Sequence, residues 1–129
     1  NDLEKLEKNK LIFYGNHLYN HYNCVNLNNE EIKNQFQINK KYLDKFKNSI
    51  NMFAYPYGQH NLFYNNKTND LIKELGAEYI FTANPENYFW KNKNSLIHRI
   101  AMHDYLNNEV EIKNHLSKPK IRNFLSKNK

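Results

Sequence analysis

Short apolar segments alternate with amphipathic segments along this chain. Four segments are rich in aliphatic and aromatic residues and are bounded by glycine, proline, asparagine or charge: "KLIFYG" at 10–15, "NMFAYPYG" at 51–58, "YIFTA" at 79–83 and "SLIHRIAMH" at 95–103. Such short apolar runs are typical of buried strands. The segments between the first three place apolar residues every three or four positions, which is the pattern of a helix with one buried face. The predicted order is strand, helix, strand, helix, strand, strand.

The longest predicted helix covers residues 28–50. Asparagines stand at its start, acidic residues fill its first turn, and its apolar residues are three, four or seven positions apart: Ile32, Phe36, Leu43, Phe46 and Ile50. These are the signals of a capped amphipathic helix. A second helix is predicted to begin at a cap on Thr68 or Asn69 and to stop at Gly76. Residues 1–9 and 107–116 have weaker helical patterns.

Strands that alternate with helices predict an α/β fold with a parallel sheet, either open or part of a barrel. A chain of 129 residues corresponds to a single domain, here 1–129. In such folds the functional site lies at the carboxyl ends of the strands. His17, Tyr57 and Asn84 each follow a predicted strand directly, so we expect this edge to carry the chemistry.

Charge and cysteine content narrow the choice of function. The formal net charge is +6, yet arginine occurs only at Arg99 and Arg122. Because arginine makes most specific phosphate and base contacts, we expect no nucleic-acid partner, although a basic domain that binds an anionic polymer through lysines is a rival interpretation. Cys24 is the only cysteine, which excludes an internal disulfide and any multi-cysteine metal site.

The apolar runs are too short for a membrane span. Each covers only a few residues, against the roughly 20 that a bilayer requires, and no signal peptide is visible. We therefore expect a soluble chain, with its compartment open.

The segment "FYGNHLYNHYN" places His17 and His21 four residues apart, directly after a predicted strand. On one helical turn such residues point the same way and can share a divalent ion through their imidazole nitrogens. The spacing alone is equally compatible with two ordinary loop histidines.

Four segments together resemble a known family. "LEKLEKNKLIFYGNHLYNHYN", "NNEEIKNQFQINKKYLDKF", "MFAYPYGQHN" and "DLIKELGAEYIFTANPEN" are similar in order and spacing to polysaccharide deacetylases with the NodB homology domain, carbohydrate esterase family 4. The resemblance covers most of residues 3–104. It implies a partial or distorted (β/α) barrel that acts on a carbohydrate substrate with N-acetyl groups.

The resemblance implies roles for single residues. His17 and His21 match the family's two metal-binding histidines, which hold zinc or a similar divalent ion together with an aspartate. Pro56 and Tyr57 match the next motif, where the backbone N–H at the tyrosine position binds the oxyanion. The implied reaction is metal-dependent N-deacetylation, in which a metal-bound water attacks the acetamide carbonyl while an aspartate takes its proton.

The sequence also departs from the family pattern. The paired-aspartate motif that supplies the base and the third metal ligand is not found, so we expect a domain that is incomplete at its N-terminus. The missing motif is also expected of an inactive or carbohydrate-binding relative. It is expected as well if a partner chain completes the site. Ala54 stands where many members have an arginine that orients the base. We predict that Arg99, in "HRI", reaches the base position instead, although a structural ion pair would also explain it.

The last motif of the family contributes a histidine that protonates the leaving amine. Both His98 and His103 resemble it, and we favour His103. On a strand, positions five apart lie on opposite faces, so only one of the two lines the site. Trp90 is predicted to wall the sugar pocket. Structural roles for Tyr57, Trp90 and both histidines are the alternatives.

Overall fold

The computed structural model describes residues 6–83, 96–99 and 106–117. These residues form, in chain order, the elements β1 (Tyr14–Asn16), α1 (Asn29–Leu43), β2 (Ser49–Ala54), α2 (Asn66–Glu74), β3 (Tyr79–Thr82) and β4 (Leu96–His98), followed by a helix α3 at 109–117. The predicted alternation of strands and helices is confirmed for this part of the chain.

The strands form one parallel sheet in the order β1-β2-β3-β4. The register places Phe53 of β2 opposite Ile80 of β3, and Thr82 of β3 opposite His98 of β4. The fold class α/β is therefore confirmed, and the sheet is compatible with part of a (β/α) barrel. Closure into a barrel stays a prediction.

Helices α1 and α2 pack on the same face of the sheet. Phe36 of α1 stacks on Phe53 at a ring-centre distance of 5.8 Å, and the Tyr55 hydroxyl donates to Asn69 of α2 at 2.9 Å. Positions 53 and 55 are two apart on an extended segment, so their side chains share one face. The buried core lies between this face and the helices, and includes Ile32, Phe36, Phe53, Tyr55, Tyr64, Leu71, Ile72 and Ile80.

Side-chain caps set where the two main helices begin. The Asn28 side chain accepts from the Glu31 N–H while Glu31 accepts from the Asn28 N–H, which is a capping box. Asn65 and Thr68 make the same reciprocal pair at α2. The predicted start at Thr68 or Asn69 was therefore wrong: Thr68 is the third residue of the helix and the last of the box, and the cap lies about one turn earlier, at Asn65.

The start of β1 and the end of α1 also differ from the boundaries predicted from the sequence. The first predicted strand contains only Tyr14 and Gly15 of the observed β1, and Leu11 and Phe13 before them are 88% and 58% exposed. The predicted helix at 28–50 ends at Leu43, and Phe46 instead packs against Tyr14 in the following turn, with ring centres 5.0 Å apart. Apolar spacing does not distinguish a helix from a turn that buries the same side chain.

Among the residues described, no helix is long and apolar enough to cross a bilayer.

Candidate active site

The carboxyl ends of β1, β2 and β4 bring three predicted site segments together. His17 follows β1, the turn Pro56–Gly58 follows β2, and Arg99 follows β4. Because parallel strands all end at the same edge of a sheet, residues far apart in sequence meet there.

His17 and His21 lie side by side. Their ring centres are 4.8 Å apart and their planes are inclined by 71°. Two imidazoles bound to one tetrahedral zinc ion, with Zn–N bonds of about 2.0–2.1 Å, have ring centres about 5 Å apart. The separation of the two rings is therefore compatible with two positions in the coordination sphere of one divalent ion.

The His17 ring is held in one orientation by the backbone of β2. Its Nδ1 lies 2.6 Å from the Ala54 carbonyl oxygen. A carbonyl only accepts, so Nδ1 carries the proton and the Nε2 lone pair is left for a ligand. Half-burial lowers the pKa of His17, the Ala54 bond opposes that effect, and the nearby His21 and Arg99 lower the pKa further. The ring is thus neutral at pH 7, which is the form that binds metals.

Buried amides hold the loop that carries the two histidines. Asn16 donates from Nδ2 to the Phe36 carbonyl at 2.9 Å, and its Oδ1 accepts from the Leu18 N–H at 3.0 Å. Leu18 itself is only 3% exposed and belongs to the hydrophobic core. Both Leu18 and His21 have positive φ angles, of 60° and 55°. The loop is shaped by these contacts, since non-glycine residues rarely adopt that conformation unaided.

Helix α1 contributes two polar residues to the same loop. Gln35 accepts from the Asn20 N–H at 2.9 Å, and Asn39 accepts from the His17 N–H at 3.4 Å. Sequence reasoning missed both. A signal was present, because they fall on the apolar stripe of α1, three and seven positions after Ile32. A polar residue on a buried face has to find a hydrogen-bond partner.

The turn after β2 contains a backbone donor that no described residue binds. Pro56 is buried, the Gly58 N–H donates to the Pro56 carbonyl at 2.8 Å, and Tyr57 between them has φ 64°. Within the described part of the chain no residue accepts from the Tyr57 N–H. A free N–H beside the histidine pair is what the predicted oxyanion role requires.

Arg99 ties the strand ends together. Its Nη2 donates to the Tyr55 carbonyl at 3.0 Å and its Nε to the Thr82 carbonyl at 3.3 Å. The side chain thereby contacts Tyr55, the residue just before the Tyr57 turn, and lies near His17. Its predicted contact with a carboxylate base stays a prediction.

His98 lies on the helix-covered side of the sheet. Its Nδ1 is 2.5 Å from Thr82 Oγ1, and burial lowers its pKa. The predicted site residues His103 and Trp90 lie outside the described residues, so the choice between the two histidines stays as predicted.

No third metal ligand joins the pair among the residues described. Within them, no group of three histidine, cysteine or acidic side chains could hold an ion. Asp44 pairs with Lys40, and Asp70 is exposed on α2. Burial raises the pKa of the Cys24 thiol to about 12, so this thiol stays protonated. Among the described residues, the two histidines are therefore candidate metal ligands that no acidic side chain or thiol joins.

Comparison with known proteins decides the family. The polysaccharide deacetylase model matches residues 2–80. The chain belongs to the polysaccharide deacetylase family. The match includes His17, His21 and the Tyr57 turn, while Arg99 lies beyond it. Membership supports a deacetylase role and implies a carbohydrate substrate. No curated protein and no solved structure matches this deacetylase-family chain.

Proposed function

We propose that this chain hydrolyses the acetamide of an N-acetylated amino sugar in a glycan, with His17 and His21 as two ligands of a divalent ion. Zinc is the preferred ion because imidazole nitrogens suit it. The observation that carries the proposal is the pair itself: two adjacent imidazoles at the spacing for one ion, one of them fixed on Ala54 with Nε2 available.

Each residue has a role derived from its position. The ion, when bound, would lower the pKa of a water to about 7 and polarise the carbonyl. The Ala54 carbonyl keeps His17 in the tautomer that presents Nε2. The Tyr57 N–H is assigned to donate to the carbonyl oxygen as it becomes an oxyanion, and such a donor contributes about 2.7–4 kcal/mol to the transition state. Hydrolysis breaks the C–N bond and yields acetate and the free amine.

The proposal needs a carboxylate as third ligand and a base. Both are assigned to residues outside the described part of the chain or to a partner chain. Arg99, whose guanidinium donates to the Tyr55 carbonyl and whose charge acts on His17, is assigned to orient that base. His103 as the proton donor to the amine and Trp90 as the pocket wall complete the assignment.

The first experiment is a calorimetric zinc titration of the chelator-stripped chain. The unmodified protein and a His115→Ala control should bind one equivalent of zinc, and a His17→Ala, His21→Ala double variant should lose that binding. His115 lies on α3, away from the pair in sequence. The His115→Ala variant therefore shows whether loss of any single histidine lowers zinc binding. Equal zinc binding by the double variant would refute the metal site.

The second experiment measures acetate release from N-acetylglucosamine oligomers with zinc added. Release that requires both histidines supports the deacetylase assignment. Zinc binding without acetate release would instead favour an inactive or carbohydrate-binding relative. Activity that survives in the double variant would contradict the assigned roles.

A further inference from the structure

A continuous series of aromatic contacts leads away from the histidine pair. The ring centres of His21 and Tyr57 are 5.0 Å apart, with planes inclined by 71°. Tyr57 in turn stacks on Phe63, again at 5.0 Å and with planes only 29° apart. Phe63 is thus joined to the candidate metal ligands through a single ring.

Tyr57 is 55% exposed, although its ring is packed on Phe63. A large aromatic side chain that serves only the core is buried. Its backbone also has the positive φ of 64°, a conformation in which glycine or asparagine is the favoured residue. Local backbone preference therefore does not explain a tyrosine at this position, and more than half of the residue is accessible to a ligand.

The segment that carries Phe63 is held in place by the core. The Phe63 N–H donates to the Gln59 carbonyl at 3.0 Å, and the Asn61 N–H donates to the Tyr64 carbonyl at 2.8 Å. Tyr64 is 1% exposed and stacks on Tyr55 at 4.3 Å. Asn23 in addition donates to the Leu62 carbonyl at 3.2 Å, which ties the segment to the chain that follows His21.

We propose that Tyr57 and Phe63, here called the aromatic shelf, bind the apolar face of a sugar unit next to the one that carries the reacting acetamide. This inference rests on the proposed function. A pyranose ring presents C–H groups on its faces and hydroxyls on its rim, which suits an exposed aromatic surface bordered by amides. The amide side chains of Gln59 and Asn61 are both exposed beside the shelf.

The position of the shelf selects a neighbouring sugar unit and not the reacting one. Phe63 lies one ring contact further from His21 than Tyr57 does, so the shelf extends away from the candidate metal ligands. The shelf recognises ring faces, so it should bind acetylated and deacetylated units alike. It therefore makes the site specific for oligomers over a single sugar.

The chain contains a matched control for this surface. Tyr19 and Tyr42 also form an exposed stacked pair, with ring centres 5.7 Å apart and planes inclined by 11°. Each is about half exposed. Tyr42 lies on α1, and within the described residues no contact joins its ring to His17 or His21. Truncation of Tyr42 removes a similar exposed aromatic surface that the proposal does not use.

The test titrates the full chain with N-acetylglucosamine and with its oligomers of two to five units, in β-1,4 and β-1,6 linkage, by calorimetry. Phe63→Ala should weaken oligomer binding about fivefold, which corresponds to about 1 kcal/mol, and leave binding of the single sugar unchanged. Phe63→Tyr should bind oligomers as tightly as the unmodified chain does, and so should Tyr42→Ala. Circular dichroism checks that each variant is folded.

The outcomes separate this inference from the proposed function. Oligomer binding that is equal in Phe63→Ala and the unmodified chain would overturn the shelf, as would the absence of oligomer binding by the unmodified chain. An equal loss in Tyr42→Ala would also overturn it. A shelf effect in a chain that fails the zinc titration would refute the metal site alone, because the shelf requires no ion.

Discussion

Substitution of Gly58 tests whether the close approach between the Tyr57 turn and β3 shapes the site. Gly58 has φ 83°, and an added Cβ would lie 2.7 Å from the Ala83 nitrogen and 3.2 Å from the Thr82 carbonyl carbon. These are backbone atoms, so no side-chain rotation relieves the clash. Gly76 provides the control, because its φ is 100° and an added Cβ would meet nothing within 4 Å.

The two alanine variants share a conformational cost and differ in a steric one. An alanine with positive φ costs about 1–2 kcal/mol, which is the loss expected for Gly76→Ala. Overpacking adds about 1–3 kcal/mol, so Gly58→Ala should lose about 2–5 kcal/mol of unfolding free energy. The shift would also disturb the bond from the Ala83 N–H to the Gly58 carbonyl, 2.7 Å long, and with it the position of the Tyr57 N–H.

Urea denaturation followed by circular dichroism measures both losses, provided that the slope with urea is unchanged. A loss in Gly58→Ala no larger than that in Gly76→Ala would refute the steric reasoning. Tyr57 geometry would then not depend on close packing against β3.

Two further predictions concern stability. Asn65→Ala removes the side chain that accepts from the Thr68 N–H and should lower the unfolding free energy by about 1 kcal/mol; an unchanged urea midpoint would contradict the assigned cap. Because burial lowers the pKa of His98 below its ordinary 6.5, the unfolded chain binds the proton more tightly. Stability should therefore be retained above pH 6.5 and fall as the pH drops below it towards the folded value. His98→Gln should flatten that fall in a stability–pH profile, and an identical profile in the variant would contradict the assignment.

Part of the candidate site was predictable because its signals are local. The spacing of His17 and His21, and the proline and glycine around Tyr57, are properties of short segments. The polar residues Gln35 and Asn39 were missed although they interrupt the apolar stripe of α1. Their hydrogen-bond partners lie in the loop that carries His17 and His21, 15 and 22 residues away. The periodic pattern of a helix gives no information about contacts with residues that far away in sequence.

By itself, the sequence determined the alternation of strands and helices, the α/β class and the two candidate ligands, because these depend on side-chain periodicity and on residues a few positions apart. Only the tertiary structure decided which groups meet at the sheet edge. The Ala54 carbonyl that orients His17 is 37 residues away, and the Tyr55 carbonyl that Arg99 binds is 44 residues away. Such pairs are set by the register of parallel strands and by packing of the helices on one face, which emerge only when the whole core forms.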